Sequence, residues 1–127
     1  MTNSVASLKR VIACLFFFCF HVAFSNAQNF EWAKSIGGLG LEIGNALDTD
    51  SEGNVILVGS FSGSAQIGST YLSGVGEKDA FVAKFTSNGD LLWARVITGP
   101  KEDVARGVVT DDNDNIYVVG HFTDTTI

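Results

Sequence analysis

The sequence predicts an all-β fold built from repeated antiparallel sheets, and three observations carry that prediction. First, Trp93–Ile127 laid on Trp32–Gln66 at a spacing of 61 residues matches without a gap, with 10 identities in 35 positions. Such self-similarity at a fixed period is the signature of a repeat architecture. Second, short apolar runs rich in Val, Ile and Phe alternate with turns rich in Gly, Asn and Asp. Third, no segment shows a helical stripe, and 14 Gly with a single Pro suit strands joined by tight turns.

Taken in order, Phe30–Ile36 alternates apolar and polar residues and reads as a half-buried strand. Gly37-Gly38-Leu39-Gly40 breaks it. Asn45–Thr49 is a short strand, followed by the turn Asp50–Asn54. Val55–Phe61 is apolar almost throughout and β-branched, as expected of a strand covered on both faces. Ser62–Lys78, rich in Gly and Ser, reads as a long excursion with a small hairpin anchored by Ile67, Tyr71 and Leu72. Asp79–Phe85 and Leu91–Ile97 are strands joined across Asn88-Gly89, a pair that tolerates the positive φ of a tight hairpin. The second copy brings a strand at Val104–Thr110, a turn at Asp111–Asn115 and a strand at Ile116–Phe122. Each unit therefore carries about four antiparallel strands, the content of one β-propeller blade. The chain holds one complete blade, about 32–92, and part of the next, about 93–127.

Residues 1–27 read as a secretory signal peptide. Lys9 and Arg10 precede a run of 14 residues, Val11–Phe24, apolar apart from His21, and Ser25-Asn26-Ala27 supplies small residues for a cut before Gln28. That run is shorter than the ~20 apolar residues a spanning helix needs. No membrane span is expected after cleavage, and the product, 28–127, is expected outside the cell or at its surface. Cys14 and Cys19 leave with the signal, which excludes disulfides, thiolate metal sites and cysteine nucleophiles. The remaining six basic and 14 acidic residues give a net charge of −8. Such a surface disfavours nucleic acid and anionic membranes.

Three runs taken together resemble a known family: Trp32–Gly38, Asp50–Phe61 and Asp79–Ala94. They are similar to the bacterial β-propeller repeat called SBBP. The resemblance implies a secreted or cell-surface, non-catalytic module that scaffolds or binds proteins or polysaccharide, within proteins resembling type IX-secreted ones. A closed ring takes about four to eight blades. One and a half units leave sheet faces and edges open, which points to a fragment of a longer protein or to self-association of several chains.

The residues that could carry chemistry favour structural roles. Trp32 and Trp93 share a repeat position, as packing between blades requires, against a sugar-stacking surface as the alternative. Asp48, Asp50, Glu52 and Gly53 resemble a calcium loop, but the second copy has Val109, Asp111, Asn113 and Asp114 there. Turns in which Asp and Asn bond their own backbone are the favoured reading, with calcium as the possible cofactor of the alternative. His121 has no histidine or cysteine companion after cleavage, and Tyr71 and Tyr117 join no triad-like arrangement. Gly37–Gly40 follows no βαβ pattern, and Glu102-Asp103 and Asp111-Asp112 sit in turn-like sequence. The expectation is no catalytic, cofactor-binding or metal residue, and no enzyme. A calcium- or carbohydrate-binding module is the alternative, and a propeller-type lyase or glycosidase ranks below it.

Overall fold

The structure, a computed structural model, describes residues 29–123. The signal peptide assigned to 1–27 lies outside them. The chain divides into two units, Met1–Phe30 and Glu31–Ile127, and every strand described lies in the second. Nine strands are found among the described residues: β1 Ile36–Gly38, β2 Ile43–Thr49, β3 Val55–Phe61, β4 Ser64–Ile67, β5 Thr70–Ser73, β6 Asp79–Phe85, β7 Leu91–Ile97, β8 Val104–Thr110 and β9 Ile116–His121.

The main sheet has the order β2-β3-β6-β7, all antiparallel, which is the four-stranded meander of a propeller blade. β8 and β9 pair with each other as β2 and β3 do, and form the beginning of a second blade. The all-β class predicted from the repeat is the class observed. The excursion after β3 contains the expected hairpin, β4 and β5, whose strand β4 also pairs with β1.

One expected strand is shorter and displaced. Phe30–Ile36 does not form a strand; only Ile36–Gly38 pairs, with Ala65–Ile67 of β4, so the glycines thought to end the strand are inside it. The alternating pattern there has a different cause, since Trp32 reaches across to a hairpin of the main sheet while no strand flanks its backbone. Gly38 lies so close to β4 that a side chain on it would collide with the Ser64 carbonyl.

Both faces of the main sheet are apolar, and each has its own cover. Phe61, Phe81, Ala83 and Phe85 point to one face, where Ala65, Ile67 and Leu72 of the β4–β5 hairpin pack on them. The Trp32 indole lies 6.0 Å from the Phe85 ring and donates from Nε1 to the Ser87 carbonyl at 2.9 Å. Ile56, Val58, Ala80 and Val82 point the other way, against Ala105 and Val108 of β8, with Ile116 and Val118 of β9 beside them. A two-stranded hairpin is marginal on its own. β8–β9 is held by this packing on the first blade.

The repeat also fixes a backbone contact. Both inner strand pairs carry a register shift at the same phase, between Gly44 and Ala46 and between Ala105 and Gly107. Beside the shift, the carbonyl of Ile43 occupies the space that a Cβ on Gly59 would need, and the carbonyl of Val104 does the same at Gly120. This is why Val-Gly-x-Phe recurs: only glycine fits beneath the bulged carbonyl.

Gly59→Ala is expected to destabilise by about 3 kcal/mol, as overpacking against rigid backbone does. Gly120→Ala, in the open second blade, is expected to cost less than half as much. Urea melts of the two variants followed by circular dichroism check this order; equal losses would mean that the second blade holds its carbonyl as rigidly as the first.

Candidate functional site

The residues singled out in the sequence do not converge on a reaction centre. Asp50 is buried in its own turn: Oδ1 accepts from the backbone N–H groups of Glu52 and Asn54, at 3.0 and 2.8 Å, and Oδ2 from the Asn54 amide at 2.9 Å. Lys84 of β6 reaches the same Oδ2 at 2.6 Å. That ammonium, helped by the Asn54 bonds, holds the Asp50 carboxyl far below the ordinary carboxylate range although burial opposes it. Asp111 repeats the arrangement with Asn115, Asn113 and the Tyr117 hydroxyl, which together draw its pKa down to about 2. The hydrogen bond to Asp111 and its charge in turn raise the Tyr117 phenol. These are turns in which Asp bonds local backbone.

Asp48 faces elsewhere. Its Oδ2 accepts from the Thr110 backbone N–H at 2.6 Å and lies 2.9 Å from the Thr110 hydroxyl, and the backbone bond leads in lowering its pKa. The first loop's carboxylates are thus taken by different partners, and the described residues contain no group of three or more His, Cys, Asp or Glu able to hold a metal. His121 lies 2.8 Å from the Thr123 hydroxyl through Nε2, and Glu102 pairs with Lys78 at 2.9 Å. Asp103 is fully buried and accepts from the Thr123 N–H at 2.8 Å. Tyr71 is exposed on β5. Both tryptophans are half-buried at equivalent positions: Trp32 on the β6–β7 hairpin, with Gly89 directly under its ring, and Trp93 against the Ile56–Val82 face. Packing is their role.

What the spacing of single residues does not show is the polar seam between the blades. Asn45 donates to the Ala105 carbonyl at 2.7 Å, Asp48 takes the Thr110 bonds, and the Ser51 backbone N–H and hydroxyl both donate to the Asp114 carboxylate at 2.8 Å. Asp114 is at φ 61° where the first copy has Gly53 at φ 77°. A side chain there is strained, and its bonds to Ser51 offset the strain. The signal was present as a departure from the repeat, Gly53 against Asp114, and could be read only once the two turns were seen to touch.

The exposed apolar surface is a second feature, and it follows the repeat. Val108 is 8 % exposed at the seam, whereas its first-blade counterpart Leu47 is 65 % exposed. Conversely Ile56 and Val58 are fully buried at the seam, while their second-blade counterparts Tyr117 and Val119 are 54 % and 65 % exposed. The same positions that make the internal interface therefore stand open at the two outer faces.

No protein-family model matches the chain. It is 33 % identical over 106 residues to an uncharacterized WD repeat-containing protein of Acanthamoeba polyphaga mimivirus, a match covering 78 % of this chain and 8 % of that relative. The chain is of the β-propeller repeat type. It spans only a small part of the relative's length.

Because Asp48, Asp50 and Asp111 all ionise more readily in the fold than free carboxylates do, they contribute stability above the ordinary value of 3.8 and lose it below. The melting temperature is expected to be flat at neutral pH and to fall as the pH drops from 3.8 to about 2. Lys84→Met removes the cation that holds Asp50 down. It is expected to lower the melting temperature at neutral pH and to make the fall in acid shallower, since less of the Asp50 contribution is left to lose. An acid fall as steep as that of the wild type would show that the Asn54 bonds suffice.

Proposed function

We propose that this chain is a non-catalytic β-propeller repeat module of the SBBP kind, secreted or displayed at the cell surface, that docks other proteins through its open blade faces. One observation carries the reading: repeat positions buried at the internal seam present Leu47 at one outer face and Tyr117 and Val119 at the other. Contiguous exposed apolar residues on a folded sheet mark an interaction surface. The carboxylates that would serve catalysis or calcium are taken up in turns, seams and ion pairs, which favours docking over chemistry. The tripartite pattern of residues 1–27 supports export.

A photo-crosslinking amino acid placed at position 47 or 119, in the cells that make the protein, tests this. Protein adducts are expected at both positions and not at exposed Glu77 on the loop before β6. Recovered chains should begin at Gln28 and be found in the medium or on the surface. Adducts at neither face would overturn the docking role, and chains retaining residues 1–27 inside the cell would overturn export.

A further inference from the structure

Beside the contact that Trp32 makes with Phe85 and Gly89, the fold leaves a cleft of about 330 Å³ between the β4–β5 turn and the start of β7. Its apolar wall is already packed: Ile67 and Phe85 belong to the core cluster, and Leu91 packs against it. The two turns that flank it carry Gly68 at φ 58° and Gly89 at φ 85°, so bare backbone stands there in place of side chains. Each turn is held by its own bonds. The Gln66 amide donates to the Gly68 carbonyl at 2.7 Å, and the Gly89 N–H donates to the Thr86 carbonyl at 2.9 Å.

The polar groups of the cleft differ from those elsewhere in the fold. Lys34 brings an ammonium, Asp90 a carboxylate, and Ser69 and Thr70 bring hydroxyls. None of these four side chains has a hydrogen bond or an ion pair among the described residues. Asp48, Asp50, Asp111, Asp114 and Glu102, by contrast, are all taken by protein partners. Lys34 and Asp90 carry opposite charges and line one cleft, yet they do not pair. The space between them is open to a ligand that both can bond.

The chemistry of the set narrows that ligand. An ammonium only donates, a carboxylate only accepts, and a hydroxyl does both. A ligand of one charge would be held by one of Lys34 and Asp90 and repelled by the other, and the chain's net charge of −6 disfavours anions further. A neutral polyhydroxylated ring satisfies every group, because each of its hydroxyls donates and accepts while its C–H face lies on apolar carbon.

We infer that this cleft binds one neutral pyranose ring. Asp90 accepts from the ring's hydroxyls, Lys34 donates to them, Ser69 and Thr70 complete the set, and Phe85 and Leu91 support the C–H face. The volume lies at the small end of the roughly 300–1,000 Å³ usual for small-molecule sites, which suits one ring and not a run of several. Asp90, Lys34 and Ser69 are exposed, so their bonds compete with water and binding is weak and fast. The cleft contains none of Leu47, Tyr117 and Val119, so it stands apart from the docking faces.

Saturation-transfer difference NMR reads weak binding of this kind directly. The purified chain, isolated as the cells make it, is tested with the methyl glycosides of glucose, galactose, mannose and N-acetylglucosamine. Transfer to the ring C–H protons of at least one is expected. Asp90→Ala and Lys34→Met change exposed side chains without partners, so both are expected to keep the wild-type melting curve. Each is expected to weaken binding by at least about tenfold, the effect of losing one charge-assisted hydrogen bond. Thr70→Val, which removes only the hydroxyl, is expected to weaken it too and decides the matter if either other variant fails to fold. Glu77→Gln, on the loop before β6, is expected to change nothing.

A short linear oligosaccharide of the sugar that binds separates the two sources of such a ring. Transfer confined to its terminal ring identifies the end of a glycan, and binding of the methyl glycoside alone identifies a free sugar. Equal transfer along the whole oligosaccharide overturns a one-ring cleft. The inference is also overturned if no glycoside shows transfer, or if the cleft variants bind as the wild type does. Tighter binding of leucine, whose two charges could bridge Lys34 and Asp90, or of inorganic phosphate would overturn the neutral ligand.

Discussion

The structure depends on one constraint: β3 and β6 are apolar on both faces, so the sheet they centre cannot end at either. Ile56 and Val58 of β3 point one way while Val55, Leu57 and Phe61 point the other, and β6 divides its side chains in the same manner. A side chain of this size gains roughly 1.5–3 kcal/mol on full burial. Leaving a whole face in water would therefore cost more than a small domain's net stability. The chain meets the constraint differently on its two sides. One face is covered by a local device, the β4–β5 hairpin with Trp32; the other is covered by the next repeat.

That division explains which parts of the fold were legible in the sequence. The strand runs, the Asn88-Gly89 hairpin and the blade meander follow from periodicity and turn chemistry, which are local. β3 and β6 to β9 accordingly fall where the runs predict them, to within a residue, and the small hairpin expected between Ser62 and Lys78 is β4–β5. Phe30–Ile36 failed because alternation records which side chains are covered and not whether a neighbouring backbone is available to pair. Trp32 is covered by Phe85 and Gly89, which are more than 50 residues further along the chain. Gly59 and Gly120 could be seen as repeated letters, but their cause, a bulged carbonyl from another strand, is tertiary.

The acidic loops show the same limit from the other side. Alternate carboxylates at 48, 50 and 52 fit a calcium-loop pattern, yet strand geometry sends them apart. Asp48 is the next-to-last residue of β2 and turns across the seam to Thr110, while Asp50 has left the strand and turns back into its own loop to meet Lys84. Spacing gives the order of ligands along the chain; it does not give the direction of each. The seam bonds also differ from one repeat to the next, with Asn45, Asp48 and Ser51 answered by Arg106, Val109 and Asp112. The apolar pattern is shared by the repeats, and the polar pattern is particular to one pair of neighbours.

This separation of roles bears on how such an array is assembled. Apolar positions that are interchangeable allow any blade face to approach any other, since burial is not directional. Hydrogen bonds are directional, and a mismatched carboxylate at a seam is left without a partner. Asp48 placed opposite anything lacking the Thr110 N–H would be covered without its bond, so this face of the first blade accepts the second blade and discriminates against other neighbours. Val109 at the outer face imposes no such demand. The inner seam is specified by its polar residues, and the outer face, with Val109 in place of Asp48, carries no such specification.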